Sequence, residues 1–462
     1  MKRVSIVLGV GILLGLCARG AELPAPPAPL TGQALPGMPF TTSEDARAAF
    51  KAVGNTAPVD VVEAGGRAML RMPCVFEGVE TERAVWDWRG QLDLTRSQGL
   101  QFYFYSPDTS PVSYFSLYLR SGDGWYHMTF GAKAPGQWTP VVFDKSATDL
   151  EGRPQGWGSI DLVRIAAWRG KHQNTEFYVA DLSLYGADAP IGIVRNESAA
   201  ADKNSEYKIA AQCTGFVAEQ LGALGIPFII MSDLDLSNAF LRDKQLIILP
   251  YNPSMSDAAV QALARFLERG GKLMSFYRLD SRLAPLMGVK SGRYVGRDQN
   301  VTFGSIRAAG TPLEGQPAEV TQHSWNIQDV LPVDGKSRAV AAWYDEAGLP
   351  TGCNAIVASA NAVHMSHILL TEDPVRKRML LLAMTGHLLP DVWQVAASHA
   401  LAGAGAIGGY PDLASCRQGL MALSQQDPVV DRYLSEAESL RARAAELVGS
   451  RRFPEALETA GQ

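Results

Sequence analysis

The clearest pattern in the chain lies between residues 244 and 277. Residues 246–249 (LIIL) form an unbroken apolar run, as expected for a strand buried on both faces of a parallel sheet. Pro250 to Pro253 make a turn, and Ser256 with Asp257 opens a helix, because short oxygen-bearing side chains accept bonds from free first-turn N–H groups. Val260, Leu263, Phe266 and Leu267 recur at helical spacing and give that helix one apolar face. Gly270 and Gly271 stop it, and 272–277 reads as the next strand. The unit is strand–helix–strand, with a right-handed crossover expected.

The same texture extends on both sides. Residues 191–194 and 227–231 read as strands, 207–224 as a helix, 363–370 as a late strand and 374–389 as a closing helix. This alternation predicts a doubly wound, flavodoxin-like parallel sheet over 188–395, with a Gly-rich β insertion at 291–361 hung on it. Earlier in the chain the period differs. Short β segments at 67–74, 100–105, 114–120, 125–130, 139–143, 161–167 and 177–184 are separated by Gly, Pro, Asp and Ser turns. They predict an antiparallel β-sandwich over 41–187, with a bulge near Ala180 and Asp181 and a helix at 42–53 capped by Ser43. Residues 21–40 are a Pro-rich, extended linker, and 397–409 reads as a small-residue hinge into a helical tail over 396–462. Length alone, at 462 residues, already suggests about three domains.

Composition changes little in this picture. Apolar content of 47% and charged content of 19% are those of globular protein. A net charge of −5 gives no electrostatic reason to expect nucleic acid or an anionic membrane as partner. The start of the chain adds an address. Lys2 and Arg3, the apolar run 4–16 and Ala18-Arg19-Gly20 read as a secretory signal peptide over 1–20, too short for a stable membrane span. Leu16 fits poorly before Cys17 in a lipoprotein box, so a secreted or periplasmic chain is expected ahead of a lipid-anchored one. Cys74, Cys213, Cys353 and Cys416 have no metal-type spacing and read as buried small residues, with one disulfide left open.

Two stretches resemble known families. Residues 92–185, through LDL at 92–94, SGDGWY at 121–126, GWGSIDLVRIAAWRG at 156–170 and FYVADLSLYG at 177–186, look like a jelly-roll carbohydrate-binding module of the kind attached to glycoside hydrolases. Residues 191–390 resemble the class I glutamine-amidotransferase-like fold, including its non-catalytic versions beside sugar-cleaving domains. The carrying phrases are LIILPYNPSMSD at 246–257, FLERGGKLMSFY at 266–277 and MSHILLTED at 365–373. This order of parts looks like the front of large secreted proteins that continue into a glycosidase-like barrel. The resemblance thus implies either a stand-alone accessory or a protein shortened before its barrel.

The amidotransferase resemblance calls for a nucleophilic cysteine on a tight elbow after strand 272–277. Met274 to Asp280 contains neither a cysteine nor flanking glycines, and Ser275 sits inside an apolar strand without G-x-S-x-G. His367 falls near the family's base, but the glutamate expected two residues later is Leu369, so a hydrogen-bonded structural histidine is expected. His364 and His367, three apart on a strand, point to opposite faces and make no metal pair. No catalytic residue, metal or cofactor is therefore assigned. A polar rim remains at the C-terminal sheet edge: Tyr251, Asn252, Arg278, Asp280 and His367. The sandwich holds most of the chain's nine tryptophans. Sugars present C–H faces that stack on aromatic rings, which makes Trp86, Trp88, Trp125, Tyr126, Trp138, Trp157, Trp168 and Arg169 the candidate carbohydrate contacts. About half are expected in the core, with Trp125 and Trp168 best placed for exposure.

The sequence thus predicts an exported, non-catalytic accessory of polysaccharide processing, with a polysaccharide or oligosaccharide as partner. A hydrolase using the α/β pocket is the alternative, and oligomer contact through the α/β part is a third possibility.

Overall fold

The computed structural model describes residues 23–36, 40–202, 206–296, 301–407, 409–423 and 428–461. The signal peptide expected over 1–20 lies outside these residues. The chain is multidomain and sheet-rich; among the described residues it has two large antiparallel sheets, one mixed sheet, a two-stranded antiparallel ribbon and eight α-helices, one of them C-terminal.

The first two sheets pack face to face. One has six strands in the order Phe50–Ala52, Arg83–Leu92, Ile160–Arg169, Val112–Ser121, Asp123–Phe130 and Asp149–Arg153. The other has five: Asp60–Ala64, Arg67–Cys74, Thr175–Tyr185, Gly99–Tyr105 and Thr139–Asp144. Alternate residues of both point into one core, where Trp86, Leu117 and Ile165 meet Met72, Phe104 and Phe177. Trp86 and Phe177 sit edge to face at 5.6 Å across that core. Strand Arg83–Leu92 escaped the sequence reading because its outward positions are Arg83, Asp87 and Arg89, which hide the alternation. The helix expected at 42–53 ends at Ala49. Phe50 is extended and pairs with Trp88, and the N-cap is Thr42, whose hydroxyl accepts from Asp45 N at 3.1 Å. The expected bulge is present: register shifts between Ala180 and Ser183, with Asp181 at φ 56°.

The Pro-rich segment is not a free linker. Trp138 Nε1 donates to Pro24 O at 2.9 Å, Tyr103 donates to Ala28 O at 3.2 Å, and Arg67 donates to the carbonyls of Pro26 and Pro27. Leu35 N and Leu184 N then exchange backbone bonds with Leu182 O and Gln33 O. Residues that cannot donate still accept, so prolines lie across an outer sheet face as a strap.

The mixed sheet runs Ile229–Ser232, Ile191–Arg195, Leu246–Leu249, Lys272–Phe276, Ala362–Met365, Pro350–Ser359, Ser337–Tyr344, Phe303–Ala308 and Glu319–Ser324. The first five strands are parallel. Successive residues feed opposite cores: Ile193, Ile248 and Met274 face helices Glu206–Ala223 and Pro374–Leu388, while Val194, Ile247 and Leu273 face helix Asp257–Glu268. The insertion does more than hang on the sheet, since four of its strands extend it in antiparallel fashion. Strands Val289–Gly296 and Asn326–Pro332 form a separate ribbon beside it.

The two bodies join through a buried polar junction at the C-terminal ends of strands Ile191–Arg195 and Ile229–Ser232. Glu197 accepts from Tyr126 Oη at 2.6 Å and from Trp157 Nε1 at 3.0 Å. Asp235 accepts from Trp157 N at 2.7 Å and Gly158 N at 3.2 Å. Gly156, at φ 97°, permits this: a Cβ there would stand 2.3 Å from Asp235 Oδ1. Arg195 reaches Lys145 O at 2.7 Å and Thr148 Oγ1 at 2.9 Å. Burial pushes the Asp235 carboxyl up to about 6 and the Lys145 amine down to about 8.

The expected hinge at 397–409 is helical in its first half. Helix Val392–Gly403 packs Ala397 against Leu447 and Ala456 of helices Pro428–Gly449 and Phe453–Gly461. Alanine is the best helix former, so a small-residue run reads equally well as a close-packing helix face.

Candidate functional site

Strand parity divides the aromatic candidates of the sandwich. On Asp123–Phe130, Tyr126 points inward and Trp125 outward; on Ile160–Arg169, Ala167 points inward and Trp168 outward. Trp125 lies beside Tyr118 (6.0 Å, edge to face), and Tyr118 stacks on His127 at 5.1 Å. The guanidinium of Arg164 sits 5.0 Å from the Trp125 ring centre and is held bidentate by Asp87 at 2.7 and 2.9 Å. Arg120, 6.0 Å from the same ring, is held likewise by Asp161. These paired cations fix the ring in one pose. At the other end of the same face Trp168 stacks on Tyr114 at 5.2 Å, with Arg83 4.4 Å from its ring centre and Nε1 donating to Ser116 Oγ at 3.0 Å.

Trp125 aligns with Arg120, and Trp168 with Tyr114, on strand Val112–Ser121. Six residues of strand put roughly 20 Å between the two clusters. Small side chains, Ser116 and Ala166, lie between them in register. Tyr114, Tyr118, Arg83, Arg120 and Arg164 were not singled out from the sequence. The signal was available in Tyr114-x-Ser116-x-Tyr118-x-Arg120, an outward face at period two.

Other candidates are elsewhere. Trp86, Trp157 and Tyr126 are fully buried and Trp88 nearly so, and a ring without solvent contact offers no face to a sugar. Trp86 and Trp88 fill the sandwich core. Tyr126 and Trp157 stack at 3.6 Å and face Glu197 in the interdomain junction. Trp138 lies under the Pro-rich strap on the opposite sheet, 5.1 Å from Tyr105. Arg169 donates to Val79 O at 3.3 Å.

The C-terminal edge of the mixed sheet carries a cleft of about 560 Å³, which gathers Tyr251, Arg278 and His367 together with Tyr277, Tyr294, Trp325 and Glu206. Asn252 and Asp280 of the expected rim do not line it. Asn252 is buried and donates to Val194 O at 3.2 Å, while the Asp280 carboxylate is clasped by Arg282 at 2.8 and 2.9 Å. Trp325 and Tyr294 come from the insertion, and no local pattern announced that its ribbon would fold over this edge.

Tyr277 follows strand Lys272–Phe276 with φ 58°, so the elbow position carries a phenol in a conformation unusual for a non-glycine residue. Burial raises its pKa, which keeps the phenol protonated at neutral pH. Both ring nitrogens of His367 are occupied, Nδ1 by Gln322 (3.1 Å) and Ile368 O (3.0 Å), Nε2 by Ser324 (3.0 Å). Burial lowers its pKa to about 4. Ser275 Oγ and His364 Nδ1 are 2.8 Å apart, yet both residues are buried between strands and the imidazole is likewise lowered to about 4 by burial. Among the described residues the cysteines, Cys74, Cys213, Cys353 and Cys416, are free and buried, and burial raises the Cys213 thiol to about 12. Among the described residues no group of three potential ligands could hold a metal ion, and no helix is long and apolar enough to cross a membrane.

No family model matches the chain, and no curated protein matches it. Solved structures similar to it include a cold-adapted β-galactosidase from Rahnella sp. R3, at 14% identity and TM-score 0.34 over 44% of this chain and 31% of that one. A ThuA-like protein from Bacteroides uniformis is similar at 13% identity and TM-score 0.33, over 43% of this chain and 90% of the other. A family 11 carbohydrate-binding module from Clostridium thermocellum is similar at 10% identity and TM-score 0.27, over 34% and 95%. The chain spans about a third of the galactosidase's length (31%). The neighbours thus include carbohydrate-binding modules, glycoside hydrolases and a ThuA-like protein. Likenesses this distant establish no activity for the chain.

Proposed function

We propose that this chain is an exported, non-catalytic accessory of polysaccharide processing that holds a glycan chain along the outer face of its six-stranded sheet. In this reading the sandwich is a jelly-roll binding module, and the parallel strands form a flavodoxin-like, amidotransferase-like domain without a nucleophile. The carrying observation is the pair of outward aromatic clusters on one face, Trp125 with Tyr118 and Trp168 with Tyr114, separated by small residues. Aromatic faces stack on sugar C–H faces, while Arg120, Arg164 and Asp161 supply bonds to hydroxyls. Rings already fixed by paired arginines lose little freedom on binding. The elbow residue Tyr277 and the fully engaged His367 support a non-catalytic role for the second domain.

Affinity electrophoresis of the full chain through a panel of soluble polysaccharides tests this. Retardation with a Kd of about 1 μM to 1 mM is expected from a shallow face. Trp125→Ala and Trp168→Ala should each weaken binding by about 1–3 kcal/mol, by analogy with base–aromatic stacking, measured at a temperature where both variants remain folded. Because the clusters stand roughly 20 Å apart, long oligosaccharides should bind more tightly than short ones. No retardation by any polysaccharide, or retardation indifferent to both substitutions, would refute the proposal.

A further inference from the structure

The cleft at the C-terminal edge of the mixed sheet combines features that a purely structural edge does not need. Its volume of about 560 Å³ lies within the range of small-molecule sites, about 300–1,000 Å³. Two of its aromatic residues are unusually open for their size: Trp325 is 56% exposed and Tyr294 is 44% exposed. Tyr251 and Tyr277 also line it, with ring centres 6.0 Å apart.

The polar groups are mixed in kind. Arg278 is exposed at the rim, 5.8 Å from the Tyr277 ring centre, and no ion pair to it occurs among the described residues. Glu206 accepts from Tyr251 Oη, and Asn326 donates to Tyr294 Oη at 3.1 Å. His323 is engaged by Glu372. The lining therefore offers donors and acceptors side by side, with Glu206 standing against an anionic ligand and Arg278 against a cationic one. Flat rings together with balanced donors and acceptors suit a polyol with apolar faces.

A further observation concerns Tyr277 itself. Its φ of 58° costs a non-glycine residue of order 1–3 kcal/mol, a strain concentrated at ligand sites because the surroundings must over-determine it. The residue lines the cleft together with Trp325.

We infer that this cleft is a second carbohydrate site, taking a neutral mono- or disaccharide between Trp325 and Tyr277 with Arg278 and Glu206 on its hydroxyls. It is independent of the sandwich face, so the chain would carry one site for an extended glycan and another for a short sugar.

Isothermal titration of the full chain with glucose, galactose, cellobiose, lactose and maltose, with glucuronate and acetate as charged probes, decides the matter. At least one neutral sugar should bind, and more tightly than glucuronate or acetate. Trp325→Ala should weaken it at least tenfold. Tyr277→Gly should do the same while keeping or raising the melting temperature, since glycine adopts a positive φ without strain. Trp125→Ala should leave this binding unchanged, which separates the cleft from the sandwich face. The inference fails if no neutral sugar binds. It also fails if the charged probes bind best, or if Trp125→Ala removes the binding while Tyr277→Gly and Trp325→Ala leave it intact.

Discussion

Tyr126 of the sandwich donates its phenol proton to Glu197 of the α/β body across 2.6 Å, and both residues are buried. With Trp157 Nε1 on the other carboxylate oxygen, Glu197 closes a junction in which neither domain satisfies its own polar groups. The phenol is raised well above its ordinary pKa, first by burial and then by the Glu197 charge, so it stays a donor. The two bodies are coupled by hydrogen bonds that water cannot replace.

Glu197→Ala therefore leaves two buried donors without acceptors. Each costs about 1–3 kcal/mol, so a loss of about 2–6 kcal/mol is expected. Differential scanning calorimetry should show a lower melting temperature, with the single transition splitting as the domains uncouple. An unchanged single transition would mean the junction carries no coupling.

Acid should weaken the fold through His364. Burial lowers its pKa from 6.5 to about 4, so the unfolded chain binds its proton first as pH falls. The contribution is complete above pH 6.5 and is lost as pH falls from 6.5 through about 4. Over that window it amounts to about 3 kcal/mol. Asp233 and Asp235 act in the opposite sense: burial raises them to about 6, so their burden grows as pH rises from about 4 to about 6. Urea unfolding of wild type and His364→Gln at pH 4 and pH 7 isolates the histidine. The stability lead of wild type should be larger at pH 7, and an equal lead at both values would sink the assignment.

The parallel strands were legible because their apolar runs are short, continuous and punctuated by Gly and Pro; Leu246–Leu249 and Lys272–Phe276 read directly. Strand Arg83–Leu92 was not, since charged Arg83, Asp87 and Arg89 interrupt its apolar positions, and only the fold shows that Asp87 pairs across the sheet with Arg164. Tertiary partners settle what local pattern leaves open. Trp157 and Trp125 look alike as turn-flanking tryptophans, yet one is buried by Glu197 from a domain forty residues on and the other is not. The cleft was half legible: Tyr251, Arg278 and His367 follow from strand ends, but Trp325 arrives from the insertion.

Composition shifts at 187–190 and 397–409 mark two joints between units, and from sequence a protease is expected to cut at both first. In the fold Asp188 pairs with Lys244 and, at 2.5 Å, with Arg96, while Ala189 is buried. Backbone held this way resists a protease. Of the two joints only 397–409 stays open, so first cleavage by a broad-specificity protease is expected near Ile407, which is exposed between helices Val392–Gly403 and Leu413–Leu423. N-terminal sequencing of the first fragments checks this, and an initial cut at 187–190 would overturn it.

The Pro-rich strap offers a separate test at Asp181. Its carboxylate pairs with Arg67 and accepts from Leu30 N at 3.3 Å, tying strap to sheet. Its backbone stands at φ 56° in the bulge of strand Thr175–Tyr185. Two effects can thus be separated by substitution. Asp181→Ala loses the tie and keeps a strained conformation that costs a non-glycine residue roughly 1–2 kcal/mol. Asp181→Gly loses the same tie but adopts that φ freely, against a smaller entropic cost in the unfolded chain. Asp181→Gly should therefore melt above Asp181→Ala, by about 1 kcal/mol in stability, while both variants expose residues 23–36 to proteolysis equally. Arg67→Ala should expose the strap as well, with no change in bulge strain. If Asp181→Ala proved the more stable of the pair, the bulge would not be strained. If the strap stayed protected in all three variants, the Arg67–Asp181 pair would not be what holds it.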